Sequence, residues 1–123
     1  MKLNHDCVRD ILLYLEEYLF DKPLKIKTLF SQLCDKYQLE DIIYTCQKLK
    51  EADFITFTID SECNRHSFIK SITWKGHNFL DNIRDNKVIS IAKESLKTVA
   101  SYSLEILSNT CAKVIESMIS IKL

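Results

Sequence analysis

Five cysteines and three histidines are the side chains best suited to metal or nucleophilic chemistry. Cys63-x-x-His66 has the separation of a zinc-ligand pair, and His77 is close enough in sequence to join it. A tetrahedral structural site needs four ligands and normally a second such pair, which the chain lacks, so no metal is expected. His5 and Cys7 read as helix-start residues rather than as a base and its nucleophile. There is no glycine-rich phosphate loop, no nucleophile elbow and no paired carboxylate motif. Neither catalysis nor a cofactor is expected.

The remaining chemistry is recognition. Lys25, Lys27, Lys36, Lys48, Arg65 and Lys70 could ring a phosphate-contacting surface, with Tyr44 and Gln47 reaching the bases and Arg65-His66 probing a groove. For that, Tyr44, Gln47 and Lys48 must share one helix face, and Arg65 and His66 must sit at the tip of a hairpin.

The stretch from Leu39 to Trp74 meets both demands. At about 100° per residue, Leu39, Ile42, Ile43, Cys46 and Leu49 form one apolar stripe. Tyr44, Lys48 and Glu51 fall opposite, flanked by Glu40, Asp41 and Gln47. The helix should end near Ala52, because Phe54-Ile55-Thr56-Phe57-Thr58-Ile59 is rich in β-branched and aromatic residues. Asp53 stands where a left-handed cap residue belongs, a backbone region that Asp tolerates better than most side chains. Asp60 to Arg65 has turn chemistry, and His66 to Trp74 alternates as a returning strand with Phe68, Ile72 and Trp74 inward.

Upstream, Asn4 caps a helix from His5 to about Phe20, whose stripe is Val8, Ile11, Leu12, Leu15, Tyr18 and Leu19. Asp21-Lys22-Pro23 breaks it. Leu24-Lys25-Ile26 reads as a short strand, and Thr28 as the cap of a second helix, Leu29 to Tyr37, burying Leu29, Phe30, Leu33 and Cys34. Helix, strand, helix, helix, hairpin is the order of a winged helix-turn-helix. Downstream, Thr73 caps a helix through Gly76, Phe79, Leu80 and Ile83, with Gly76 marking a close backbone approach. From Lys87 to about Ser120 the chain is helical again, with Val88, Ile91, Ala92, Leu96, Val99 and Ala100 on one face. Leu104, Leu107, Cys111, Val114, Ile115 and Met118 form a second stripe. If straight, that segment would be about 50 Å long; Ser101-Tyr102-Ser103 is where a bend would fall.

One glycine and one proline in 123 residues argue against a loop-rich or all-β protein. The fold class expected is therefore mainly α with a small β-hairpin, α+β, with a winged-helix domain at 1–86 and C-terminal amphipathic helices at 87–123. Residues 1–86 hold 12 basic and 14 acidic groups, net −2, and residues 87–123 hold 5 and 3, net +2. That balance lacks the basic excess usual in nucleic-acid binders. The odd, scattered cysteines suit buried thiols in a reducing cytosol. Lys2, His5, Asp6, Arg9 and Asp10 interrupt any secretory signal. Glu105, Lys113 and Glu116 interrupt the run of ~20 apolar residues that a membrane span needs. A cytoplasmic protein without membrane contact is expected.

MKLNHDCVRDILLYLEE at the start, EDIIYTCQKLKEADFI in the middle, ITWKGHNFLDNIRDNKV and the SYSLEIL stretch resemble a family of phage and prophage proteins known as a domain of unknown function. The resemblance covers nearly the whole chain and implies a small cytoplasmic protein of bacterial or phage origin. It brings no catalytic residues and no activity with it. Asp53 departs from the family's pattern, where glycine is usual, which implies mild strain at the turn from helix to wing.

Two functions follow as expectations. One is a dimeric DNA-binding transcriptional regulator, with Lys27, Lys36, Tyr44, Gln47, Lys48, Arg65, His66 and Lys70 on double-stranded DNA. The other is a protein-binding accessory factor that modulates a host protein. Charge balance and the acidic start of the central helix, Glu40-Asp41, favour the second, because carboxylates are repelled by phosphates; the fold and the expected dimer favour the first, which is the function expected. In either case Val99, Leu104, Leu107, Cys111, Val114, Ile115 and Met118 are the candidate homodimer interface, their seven-residue spacing giving a short seam.

Overall fold

The computed structural model describes residues 1–60, 62–63 and 66–122, the last two by backbone alone. Among the described residues it holds six helices and one small three-stranded antiparallel sheet, an α+β arrangement. The chain divides into two compact units, Met1–His77 and Asn78–Leu123, the division falling inside helix α4 (Trp74–Ile83).

In the first unit, α1 (His5–Tyr18) starts at Asn4, whose side-chain oxygen accepts from the Asp6 and Cys7 amides at 3.0 and 3.2 Å. β1 (Leu24–Lys25) leads straight into α2 (Ile26–Leu33), followed by α3 (Leu39–Glu51), β2 (Ile55–Thr58) and β3 (Phe68–Ile72). The sheet order is β1-β3-β2. α1 packs on α3 and on β3, and α2 packs on α3. Between them lie Ile11, Leu12, Leu15, Ile26, Leu29, Ile42, Leu49, Ile55 and Ile69, all buried. Each is worth about 1.5–3 kcal/mol relative to exposure.

The end of α3 is as its sequence requires. Asp53 has φ 65°, and the Phe54 and Asp53 amides donate to the Leu49 and Lys50 carbonyls at 2.9 and 3.0 Å, a complete Schellman cap without glycine. Thr73 then ties the next helix to this turn. Its hydroxyl donates to the Asp53 carbonyl at 2.6 Å and accepts from the Gly76 amide at 3.0 Å, while its own amide donates to the Phe54 carbonyl at 3.0 Å. A Cβ at Gly76 would stand 2.1 Å from that same Phe54 oxygen. Gly76 is the close approach its sequence position implied.

Five expectations need correction. β3 buries Ile69, and Trp74 is exposed as the first residue of α4. The register passes from Thr56↔Ser71 to Phe57↔Ile69, so Lys70 is an extra residue and unbroken alternation fails there. α2 begins at Ile26 rather than after Thr28: the Ile26 amide still donates to the Ser67 carbonyl at 2.9 Å while its side chain enters the core. Cys34, at the end of α2, is exposed rather than buried. Tyr18 is 65% exposed, because α1 ends there and the core-facing stripe stops at Leu15.

In the second unit, α5 (Asn86–Leu96) is capped by Asp85, which accepts from the Lys87 and Val88 amides at 2.8 and 3.0 Å. α6 (Leu104–Lys122) follows after a non-helical link, where the Ser103 hydroxyl accepts from the Ile106 amide at 3.1 Å. The expected long helix is thus broken across 97–103. Asp85 and Val88 at the start of α5 and Ile115, Met118 and Ile119 near the end of α6 wall one cavity of about 250 Å³, so the two helices run antiparallel. Val88, Ile89 and Ala92 are buried on α5, whereas Ile91, Val99 and Ala100 are exposed. The break ends the stripe that a continuous helix would have carried through Val99 and Ala100, whereas Ile91 lies within α5 off its buried face.

Candidate recognition surface

α3 is held at both ends by backbone hydrogen bonding. At its start the Asp41 carboxylate accepts from the Gln38 amide at 3.2 Å, closing a capping box. One of the two carboxylates expected to face a partner is therefore engaged in holding its own helix. On the buried face, the Thr45 hydroxyl donates to the Asp41 carbonyl at 2.7 Å and also lies 3.5 Å from the Cys7 sulfur. That pairing accounts for a polar residue 1% exposed in the core, which the apolar stripe alone did not indicate.

The opposite face carries Tyr44, Gln47 and Lys48, all partly exposed, with Glu40 and Glu51 exposed at either end. The Lys48 ammonium lies 2.8 Å from the Glu51 carboxylate and 5.4 Å from the centre of the Tyr44 ring. The hydrogen bond to Glu51, with that group's charge, raises the Lys48 pKa above its usual range. Lys48 is thus a cation shared within its own helix.

The other candidates are spread over the unit. Lys27 is exposed on α2. Lys36 is exposed and 3.7 Å from Asp10, which also accepts from the Tyr37 hydroxyl at 2.6 Å. Such an exposed pair contributes little to stability and leaves Lys36 able to find other partners. In the hairpin tip, the Asp60 carboxylate accepts from the Glu62 and Cys63 amides at 3.0 and 3.3 Å and lies 3.9 Å from His66 Nδ1. Ser67, buried, pins the tip by accepting from the Asp60 amide at 2.8 Å. Arg65 lies outside the described residues. Lys70 lines a cavity with Leu15, Glu16, Leu19 and Phe20 of the first helix region rather than standing with the side chains of α3.

Among the described residues, no group of three or more His, Cys, Asp or Glu is placed to hold a metal ion. The five cysteines are free thiols: Cys7, Cys46 and Cys111 are buried, Cys63 is partly exposed and Cys34 is exposed. Burial pushes the Cys7 thiol up to about 11 and the Cys46 thiol upward as well. Thiols held protonated in this way are poor nucleophiles.

Of the candidate interface positions, Leu107 and Cys111 are buried within the chain itself, and Leu104, Val114, Ile115 and Met118 are half-buried. Val99 is exposed in the link before α6, and Ile106 and Ile119, which the heptad reading passed over, are exposed on α6. No helix of the described residues is long and apolar enough to cross a membrane.

Residues 2–103 match the model of the family described as Hypothetical protein (DUF2513). The match ends at Ser103, the residue that caps α6. A Haemophilus influenzae Rd protein, described as uncharacterized, is 31% identical over 121 residues, covering 98% of this chain and 97% of its own length. No solved structure matches. With most of its length inside the family model and a relative aligned nearly end to end, the chain belongs to the family described as Hypothetical protein (DUF2513).

Proposed function

We propose that the Met1–His77 unit is a winged helix and that the protein is a DNA-binding regulator of phage or prophage genes, acting as a dimer in the cytoplasm. One observation carries this reading. The element order α1-β1-α2-α3-β2-β3 with sheet order β1-β3-β2 is the order expected of a winged helix, and it leaves the Tyr44, Gln47 and Lys48 face of α3 outside the core. α3 enters the major groove with Gln47 at base edges and Lys48 at phosphate. Lys27, Lys36 and the wing residues Arg65 and His66 hold the backbone. The half-buried apolar side chains of α6, with Ile106 and Ile119, supply the dimer contact.

The test is an electrophoretic shift series against the DNA upstream of the protein's own gene, at two salt concentrations. Specific complexes whose affinity falls steeply with salt, by about 0.9 in log–log slope per phosphate contact, support the regulator. No shift at low salt overturns it. Light scattering at micromolar concentration tests the dimer, and a monomeric mass refutes it.

A second reading has an observation of its own. Lys48 is paired with Glu51, and Glu40 and Asp41 stand at the start of α3, so the face offers phosphates little net attraction. A protein-binding accessory factor using that same face meets no such repulsion.

A further inference from the structure

Between the C-terminal half of α1 and strand β3 is a cavity of about 160 Å³. Leu15, Leu19 and Ile72 give it an aliphatic floor, and Glu16, Lys70 and His77 bring charged and polar groups to its lining. Phe20, also on the lining, is 92% exposed. Trp74, one helical turn before His77 and on the same side of α4, is 83% exposed. Scattered exposed apolar residues need no explanation, but large aromatics gathered beside an apolar-floored concavity mark an interaction site. Aromatic side chains are also the commonest energetic anchors of protein interfaces.

The bulge in β3 adds an independent observation. Lys70 is the unpaired residue between Ser71 and Ile69, and the extra residue turns it toward α1, where it reaches the cavity. Bulges re-aim side chains in this way next to functional sites. Lys70 makes no ion pair among the described residues. With His77 beside it, the lining is set to receive a carboxylate next to an apolar group, Glu16 being the acidic counterpart.

We propose that this groove docks a partner protein of different sequence, which seats one aliphatic or aromatic side chain on Leu15, Leu19 and Ile72 and sets a carboxylate against Lys70 and His77. A second copy of the chain is the competing occupant, and the sedimentation arm of the test below separates the two. The site is separate from the α3 face, and it stands whether that face binds DNA or not.

The test pans a displayed library of random dodecapeptides against the intact, full-length protein. Lys70→Glu and the double variant Phe20→Ser/Trp74→Ser are panned in parallel. All three positions are exposed, and circular dichroism checks that the variants keep their fold. The expected result is enrichment of peptides with Leu, Ile, Phe or Trp within one helical turn of Asp or Glu. A synthetic copy of the best peptide shifts the emission of Trp74, the single tryptophan. It binds Lys70→Glu about tenfold or more weakly, and that variant selects Lys or Arg in place of Asp or Glu. No enriched sequence, or enriched peptides that bind the double variant as well as the parent, overturns the proposal. So does sedimentation showing that the parent polymerises and the double variant does not, since the occupant is then a second copy.

Discussion

Replacing Gly76 by alanine tests the junction that aims α3 and launches the hairpin. The added Cβ would lie 2.1 Å from the Phe54 oxygen, 2.8 Å from Ile72 Cγ2 and 3.0 Å from the Phe54 carbonyl carbon. A nonbonded carbon sits at roughly 3.5 Å, so the shortest of these contacts is too close by more than an ångström. The neighbour is backbone and cannot rotate away. That oxygen also accepts from the Thr73 amide at 3.0 Å, so moving it loosens a second bond. Overpacking of this kind costs about 1–3 kcal/mol or more, and a weakened hydrogen bond adds about 1 kcal/mol. Against this, alanine improves helix propensity by about 1 kcal/mol. The expected net loss is about 1–3 kcal/mol, or roughly 4–24 °C in Tm for a unit of this size. Urea unfolding followed by circular dichroism measures it, with Asn78→Ala, at an exposed position of the same helix, as the control within about 0.5 kcal/mol of the parent. If Gly76→Ala is as stable as the parent or more so, helix propensity alone governs the site. The approach of α4 to Phe54 would then be refuted.

Asp53→Gly should raise the urea midpoint by the equivalent of about 0.5–1 kcal/mol at unchanged slope, because φ 65° suits glycine better than a residue with a Cβ; an unchanged or lower midpoint contradicts the strain. At pH 8 an alkylating reagent should modify Cys34 first, Cys63 more slowly, and Cys7, Cys46 and Cys111 only on unfolding, as read by mass spectrometry. The Cys7 thiol is raised from its ordinary 9.0 to about 11 by burial, so the unfolded chain releases this proton first. The contribution of the buried Cys7 thiol is therefore fully present below about pH 9 and is lost between about pH 9 and 11, and Cys7→Ala should flatten that part of the decline. Glu51→Gln removes the carboxylate that shares Lys48. If α3 lies on DNA, this variant binds several-fold tighter with a steeper salt dependence; an unchanged affinity places α3 away from the phosphates.

What was legible in the chain was whatever depends on neighbours close in sequence. Asn4 as a cap, the ends of α3, the left-handed Asp53 and the close approach at Gly76 each follow from residue type and spacing within one or two turns. The phase of β3 did not, because the bulge at Lys70 is an agreement between two strands and leaves no mark in either one. The start of α2 was hidden for a similar reason. Ile26 looks like a strand residue by type, but its pairing with β3 ends one residue earlier. Of the candidate site, the Tyr44, Gln47 and Lys48 face and the i,i+3 spacing of Lys48 and Glu51 were readable from helical period, whereas the groove beneath Phe20 depends on how β3 lies against α1, which neither segment records by itself. Phe20 had one local signal, an aromatic standing directly before Asp21-Lys22-Pro23, where a helix cannot continue to cover it.

The way α3 is secured explains how fold and charge can point to different partners. Its start is closed by the Gln38–Asp41 box, its end by the Asp53 turn, and that turn is clamped by Thr73 and Gly76 through main-chain atoms. Its inner face is fixed by Ile42, Thr45, Cys46 and Leu49. None of these restraints involves Tyr44, Gln47, Lys48 or Glu51. Substitutions on the outer face therefore change what the helix attracts without moving it. In such a scaffold the geometry of a groove-reading helix can persist while its charge drifts toward neutrality. On the function proposed above, the balance among Glu40, Lys48 and Glu51, rather than the architecture, would decide whether α3 meets phosphate or protein.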